Sequence, residues 1–308
     1  MDSSKFLCSL TYLIVSCAVV LMAGCGGSSS DGQVVPAEPI YAVETIESDA
    51  GNDGSMDMVT HYTYDSDGNP IRIEQDYGAD GSLDQVNYFT YDGSGNTITQ
   101  ECDIDDNGSM ELVYYSTYDG DGNIITYECV SDLEGSRDFI YYSYYDGDGN
   151  LIRTEQDYDS DGSVDDVYLF TYDGDGNRIL EESDTDGVEG IDSVISYTYD
   201  DDGNKILEER DQDNNGSIDV VSQYIYDSNS NRVISESDTN NDGSIDSVTS
   251  WTYDSDGNQI ISYHLTFGVS QYVTYYTYDS NGNKLTEATD NGNDGTIDTI
   301  SYWTWIQL

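Results

Sequence analysis

Positively charged residues are scarce in this chain. Its 308 residues include 9 Lys and Arg against 62 Asp and Glu, which gives a formal net charge of −53. Proteins bind nucleic acid through basic patches that neutralise phosphates, so nucleic acid is excluded as a partner. Repulsion also disfavours direct binding to an anionic membrane surface.

Histidines and catalytic motifs are equally scarce. The two histidines, His61 and His264, occupy non-equivalent places in the repeat described below, so we do not expect a His-based catalytic centre. The sequence contains no nucleophile elbow, phosphate-binding loop or Cys/His zinc cluster. We therefore predict that the protein is not an enzyme. The alternative is a polysaccharide-active enzyme that uses paired carboxylates on a curled sheet.

The N-terminus has the features of an export signal. Lys5 precedes the apolar stretch "FLCSLTYLIVSCAVVLMAG", which ends in small residues. The following "LMAGC" resembles a bacterial lipobox, and that resemblance implies lipidation of Cys25 and, with Gly26 next, an outer-membrane lipoprotein facing the periplasm or the surface. We predict a signal peptide over 1–24 and a lipidated, flexible linker over 25–40. The alternatives are an ordinary signal peptide or a single membrane anchor.

Residues 41–308 form a tandem array with a period of 27. A Tyr-Asp pair begins at Tyr64, Tyr91, Tyr118, Tyr145, Tyr172, Tyr199, Tyr226, Tyr253 and Tyr278, spaced by 27 seven times and then by 25. Each pair opens a turn such as "YDGDGN", and a second acidic turn such as "DYDSDGSVD" lies midway to the next pair. The segments between turns are about 6–9 residues long and rich in β-branched and aromatic residues, which suits antiparallel strands and leaves no room for helices. The sequence predicts an all-β continuous antiparallel meander of tandem 27-residue β-hairpin repeats.

The strand before each Tyr-Asp turn alternates between two kinds of side chain. Phe170 and Tyr172 lie on one face, as do Tyr197 and Tyr199, while Thr171 lies on the other. Because an aromatic face must be covered and about 20 strands curl when left open, we expect the meander to coil into a spiral or shell. The alternative is a β-propeller. The aromatic row either packs within the sheet or stacks on sugar rings.

The first turn resembles the YD (Rhs-type) repeat. Its residues are Tyr172, Asp173, Gly176 and Asn177 in one copy. The family implies β-spiral shells and interaction with carbohydrate or a cell surface. This chain departs from the family by its longer period and by Asn in place of the usual Arg after Gly. A relic of an Rhs-type toxin shell is therefore one alternative for its origin.

The second turn has the residue types of a calcium loop. Asp157, Asp159, Asp161, Gly162 and Asp165 fit D-x-D-x-D-G-x-x-D, in which alternate oxygens, a turn-forming Gly and a late carboxylate suit a hard cation. The loop resembles those of integrin-type (FG-GAP) repeats and implies several weak Ca²⁺ sites. The alternatives are that these residues only make turns or belong to a halophile's acidic surface.

The second turns differ in how complete they are. Two further loops are complete and one is nearly so: Asp211, Asp213, Asn215, Asp219; Asp238, Asn240, Asp242, Asp246; and Asp103, Asp105, Asn107, Glu111. Three have Gly at the third position: Asp49, Asp53, Asp57; Asp76, Asp80, Asp84; and Asp290, Asp294, Asp298. The loops at Asp132–Asp138 and Asp184–Asp192 are degenerate, and the site near His264–Gln271 is lost. A row of glutamates two residues before the loops is either a solvated face or a second layer that orients the loop ligands.

Two cysteines distinguish between possible folds. Cys102 and Cys129 are 27 residues apart. In a meander, equivalent strands are about 9.6 Å apart, beyond disulfide reach, whereas a solenoid with one coil per repeat stacks them at about 4.8 Å. We expect unpaired thiols.

The sequence therefore predicts a lipid-anchored, calcium-stabilised β-repeat scaffold of the bacterial cell envelope. It is expected to bind a surface glycan or protein, or to act as a spacer.

Overall fold

The repeats fold as short antiparallel strands joined by the two kinds of turn. The computed structural model describes residues 41–131, 137–185 and 190–307. The first ten strands are Tyr41–Asp49 (β1), Met58–Tyr64 (β2), Pro70–Tyr77 (β3), Gln85–Tyr91 (β4), Thr97–Asp103 (β5), Leu112–Tyr118 (β6), Ile124–Val130 (β7), Arg137–Tyr145 (β8), Leu151–Asp157 (β9) and Asp166–Tyr172 (β10). The remaining ten are Arg178–Asp184 (β11), Ser193–Tyr199 (β12), Lys205–Asp211 (β13), Val220–Tyr226 (β14), Arg232–Asp238 (β15), Ser247–Tyr253 (β16), Gln259–Thr266 (β17), Ser270–Tyr278 (β18), Lys284–Asn291 (β19) and Thr299–Gln307 (β20). The predicted all-β meander of hairpins is confirmed, since each strand pairs antiparallel with its neighbours in sequence.

The sheet closes on itself as a barrel. Strand β1 pairs with β20 from Tyr41 opposite Gln307 to Asp49 opposite Ile300. Asn52 Nδ2 also donates a hydrogen bond to the carbonyl oxygen of Ile297, at 3.2 Å. The prediction that the meander coils into a spiral or shell is therefore wrong, and so is the propeller alternative. The twisted meander curls until its two edges meet, so none of the 20 described strands is left as an edge with an unpaired row of backbone N–H and C=O groups.

The two kinds of turn lie at opposite ends of the barrel. The Tyr-Asp turns, of which 173–177 is one, follow the even-numbered strands, and we call their end the YD rim. The acidic loops, of which 158–165 is one, follow odd-numbered strands, and we call their end the DG rim. Strand β1 runs from the YD rim to the DG rim, and β20 runs back.

Strand register places the aromatic row on the better buried face. Asn87 lies opposite Cys102, and Tyr114 lies opposite Cys129, and the exposed fraction of these four side chains is 0–3%. The Thr residues of the other face are exposed, Thr90 among them. We therefore assign the aromatic face to the interior of the barrel. Cys102, Leu112, Tyr114 and Cys129 form an apolar cluster there.

Cys102 and Cys129 lie on strands separated by one intervening strand, as a meander requires. Strand β6 lies between them, with Cys102 opposite Leu112 and Cys129 opposite Tyr114. The structure describes Cys129 as a buried thiol, whereas Cys102 is disulfide-bonded, so the expectation of unpaired thiols is wrong for Cys102.

The shortened repeat lacks an acidic loop, as the sequence indicated. Strands β17 and β18 pair as far as Thr266 opposite Ser270. Phe267, Gly268 and Val269 form the tight turn between them, in which Gly268 has a φ of +74°. The loss of two residues from the period is absorbed entirely at this hairpin.

Several sequence predictions lie outside the described residues. These are the signal peptide over 1–24, Cys25, the linker over 25–40, and parts of the two degenerate loops. Within the described residues, no helix is both long and apolar enough to span a membrane.

Candidate functional site

The carboxylates of the YD turns are used within the turn itself. Asp173 Oδ1 accepts hydrogen bonds from the N–H groups of Asp175 and Asn177, both at 2.9 Å. Asp173 Oδ2 accepts a third from Asn177 Nδ2 at 3.0 Å. These bonds, that from the Asn177 side chain first, lower the pKa of Asp173. The first turn is therefore a self-satisfied structural element and not a ligand set.

The tyrosine of each YD turn joins neighbouring repeats. Tyr172 Oη donates to the carbonyl oxygen of Leu151, the first residue of the adjacent strand β9, at 2.8 Å. The same bond, 2.6–3.0 Å long, is formed by Tyr64, Tyr91, Tyr118, Tyr145, Tyr199, Tyr226, Tyr253 and Tyr278. In the last strand, Trp305 Nε1 donates to the carbonyl of Lys284 at 2.8 Å. Sequence reasoning missed this role, although the recurrence of Tyr at one position was its signal.

The acidic loops fold around their first aspartate. Asp157 is 4% exposed, and its Oδ2 accepts the N–H of Gly162 at 2.9 Å. Asp165 Oδ2 accepts the N–H of Tyr158 at 2.8 Å. Ser160 and Gly162 have φ values of +54° and +91°, and these left-handed residues turn the chain back towards Asp157. The loop is thus a tight turn with carboxylates on its inner side.

Three of the acidic loops bring three carboxylates together. The groups are Asp103, Asp105 and Glu111; Asp157, Asp159 and Asp165; and Asp211, Asp213 and Asp219. In each, one carboxylate oxygen from every residue lies within 4.8 Å of the others. We call these the carboxylate triads. They comprise the first, third and ninth positions of the predicted loops, and each of them could hold a metal ion.

The fifth residue of each of these loops is hydrogen-bonded within its own loop. Asp161 Oδ1 accepts the N–H of Ser163 at 2.7 Å, and Asn107 and Asn215 make the same bond to the N–H two residues on, at 2.8 and 2.9 Å. These three residues, which the sequence placed among the ligands, therefore support the turn.

One triad contains a buried oxygen without a partner. Asp157 Oδ1 is buried and has no hydrogen-bond partner. In the other two triads the equivalent oxygens of Asp103 and Asp211 accept the N–H of the fifth residue, at 3.0 and 3.1 Å. A buried anionic oxygen without a donor is costly, so Asp157 is the strongest single indication of a cation.

The remaining complete loop, which begins at Asp238, has a different arrangement. Asn240 replaces aspartate at the third position and its Oδ1 accepts the N–H of Asp242 at 3.0 Å. Asp238, Asp242 and Asp246 do not form a triad of the kind seen in the other three loops of the described chain. At the first, third and ninth positions this loop has two carboxylates, one fewer than a triad.

Glutamates of the predicted row lie on the outer face, opposite the aromatic face. Glu74 lies opposite Val86 and His61 and pairs with Arg72 at 2.7 Å. Glu155 pairs in the same way with Arg153 at 2.5 Å. These two glutamates form ion pairs along the strand.

The interior face has a row of alternating cations and aromatic rings. Arg178 lies over Phe170 and Tyr197, Lys205 over Tyr197 and Tyr224, and Arg232 over Tyr224 and Trp251, at 4.5–5.5 Å from the ring centroids. Lys284 lies over Tyr276 and Trp303 in the same manner, at 5.4 and 4.4 Å. We call this the cation–aromatic belt. Because cations cover both sides of Tyr197 and Tyr224, these two rings pack within the sheet.

Comparison with known proteins gives only distant structural likenesses. No known protein family and no curated protein matches the sequence. A crystal structure of TcdB2-TccC3 is similar with a TM-score of 0.41 and 14% identity over 79% of this chain, which spans 15% of that chain. A porin-like protein from Bacteroides uniformis is similar with a TM-score of 0.38 and 12% identity, covering 85% of this chain and 96% of that chain. Scores this low do not establish a shared fold or function.

Proposed function

We propose that the protein is a calcium-stabilised β-barrel scaffold of the cell envelope, held by a lipid at Cys25, whose role is binding and not catalysis. The observation that carries the calcium assignment is the partnerless, buried Oδ1 of Asp157 within a triad of carboxylates. Oxygen ligands at close range suit a hard cation such as Ca²⁺. Asp211, Asp213 and Asp219, with Asp103, Asp105 and Glu111, supply two further sites.

Charge repulsion supports the same conclusion. Two carboxylates 4.8 Å apart repel by about 3 kcal/mol at an effective dielectric of 20, and solvent screening reduces this to about 1 kcal/mol for exposed partners. A turn needs one such side chain, whereas each triad has three. A bound dication removes this repulsion and gives Asp157 Oδ1 a partner.

The experiment is a thermal melt of the full chain with Ca²⁺, with Mg²⁺, with Na⁺ alone and with excess chelator, at one ionic strength. A ligand that binds the native state stabilises it by mass action, so we expect Ca²⁺ to raise the melting temperature well above the other three conditions. Equal protection by Na⁺ would mean that the carboxylates only need screening, as on a halophile's surface, and the calcium proposal would fail.

The lipid anchor is tested separately. In bacteria fed a labelled fatty acid, the wild-type protein should carry the label and Cys25→Ser should not. Label on Cys25→Ser, or none on the wild type, would rule out the lipoprotein proposal and leave an ordinary signal peptide or membrane anchor.

A further inference from the structure

One cation of the cation–aromatic belt differs from the rest. Arg178, Lys205 and Lys284 each form an ion pair with the glutamate three residues on, at 3.4, 2.8 and 2.9 Å. Arg232 occupies the equivalent position in its repeat, but the third residue on is Ser235. Among the described residues no carboxylate lies within ion-pairing distance of Arg232.

The guanidinium of Arg232 is nevertheless held in place and open to solvent. It lies between Tyr224 and Trp251, 5.5 and 4.5 Å from the two ring centroids, and the residue is exposed. The nearest glutamate of the belt, Glu208, is already shared by Lys205 and Arg210 and accepts a bond from Tyr224. An oriented Arg fork without a partner is ready to bind a carboxylate by two parallel hydrogen bonds.

The interior face of β14–β17 around Arg232 carries no carboxylate and is rich in hydroxyl groups. Register places seven Ser and Thr side chains on the interior face of β14–β17, namely Ser222, Ser235, Ser237, Ser247, Thr249, Ser262 and Thr266. The carboxylates within these four strands are Glu236 and Asp238, and both lie on the opposite face, since their register partners are Gln223, Val248 and Val221. In a chain with 62 acidic residues, an anion on this interior face meets no carboxylate from these four strands.

We propose that Arg232, Tyr224, Trp251 and the neighbouring hydroxyls form a binding site for an acidic saccharide, with the carboxylate of a uronic acid on Arg232. We call it the Arg232 site. The hydroxyls supply the donors and acceptors that a sugar's own hydroxyls require, and Trp251, which among the cations of the belt lies against Arg232 alone, supplies the apolar contact. The site deepens the proposed binding function by naming a ligand class, but it does not depend on calcium, because no triad residue takes part.

The test is calorimetric titration of the full chain with a defined oligogalacturonate. It is made in chelator, below the melting temperature under that condition, so that the calcium proposal and this one fail independently. Ionic strength is about 0.15 M, where the screening length is about 8 Å and the distant carboxylates contribute little.

Three variants separate the possibilities. Arg232→Gln removes the cation, and Ser235→Glu restores the carboxylate that the other repeats possess, so each should weaken binding about tenfold or more. Arg72→Gln is the matched control, because Arg72 also stacks on a tyrosine, Tyr88, but lies on the outer face. It should bind like the wild type, and all three should show wild-type circular dichroism.

Four results would overturn the proposal. They are no binding by the wild type, equal binding of a neutral oligosaccharide of the same length, unchanged affinity in both Arg232→Gln and Ser235→Glu, and equal binding of poly-glutamate, which would indicate an acidic peptide instead.

Discussion

Replacing one triad carboxylate by its amide should remove one calcium site and little else. Asp159→Asn changes the third position of the Asp157 loop to the residue that Asn240 already provides in its own loop. At 10 mM Ca²⁺ and a Kd of about 10⁻⁴–10⁻³ M, each site contributes about 1.4–2.7 kcal/mol of native-state stability. Triads in neighbouring positions are four strands apart, about 19 Å, so their contributions should add.

The assay is the difference in melting temperature between calcium and chelator. About 1 kcal/mol corresponds to roughly 2–4 °C in a domain of this size, so Asp159→Asn should reduce the calcium-dependent rise by about 3–10 °C. In chelator its melting temperature should equal or slightly exceed that of the wild type, because one repelling carboxylate has gone. Asp173→Asn, in a YD turn, is the control and should leave the calcium-dependent rise unchanged.

Two results would refute the reasoning. If Asp161→Asn reduced the calcium effect as much as Asp159→Asn, the fifth position would be a ligand in spite of its bond to Ser163. If Asp173→Asn reduced it equally, the carboxylates would act through net charge and not as ligand sets.

Three further predictions concern stability. Tyr172→Phe should cost about 1 kcal/mol in urea unfolding, because the carbonyl of Leu151 loses its donor; an unchanged midpoint would show that water replaces the hydroxyl. Gly162→Ala should destabilise the fold by about 1–2 kcal/mol through its positive φ alone, since a methyl group there meets no atom within 4 Å. Ser160 also has a positive φ, so Ser160→Gly should stabilise the fold. Thermal melts in which both variants shift the melting temperature in the same direction would contradict this. The lowered pKa of Asp173 gives stability that is present above its unfolded pKa of about 3.8 and is lost as pH falls through the folded pKa. The difference in melting temperature between the wild type and Asp173→Asn, measured in chelator, should therefore shrink as pH falls below about 3.8. A difference that does not change with pH would disprove this prediction.

The repeat pattern was sufficient to predict the strands but not their closure. The Tyr-Asp period places every hairpin, because alternation and turn residues act locally. Pairing of Tyr41 with Gln307 depends on twist and curvature summed over all strands, and no local signal records that sum. The sequence therefore left spiral, shell and propeller open.

The candidate metal loops were predicted by residue type, and their inner geometry was not. In three loops of the described chain, carboxylates of the first, third and ninth positions lie within 4.8 Å of one another. Asp161 turns away because the left-handed Ser160 and Gly162 on either side of it direct its carboxylate to the N–H of Ser163. Such backbone detail has no counterpart in the spacing of carboxylates.

The Arg232 site had a signal that sequence analysis overlooked. Arg178, Lys205 and Arg232 recur at the period of 27, and the residue three positions on is Glu, Glu and then Ser. Comparing equivalent positions among repeats, including the basic ones, would have shown the exception.

Pairing of the first and last strands also decides how the barrel is oriented on a tether. Tyr41 and Gln307 are register partners at the YD rim, so the preceding segment joins the barrel at the same end as the last strand leaves it. If Cys25 carries a lipid, the membrane lies on the YD side, and the carboxylate triads at the DG rim face away from it. The triads would then bind Ca²⁺ from the surrounding medium and not from the layer of ions next to the lipid headgroups.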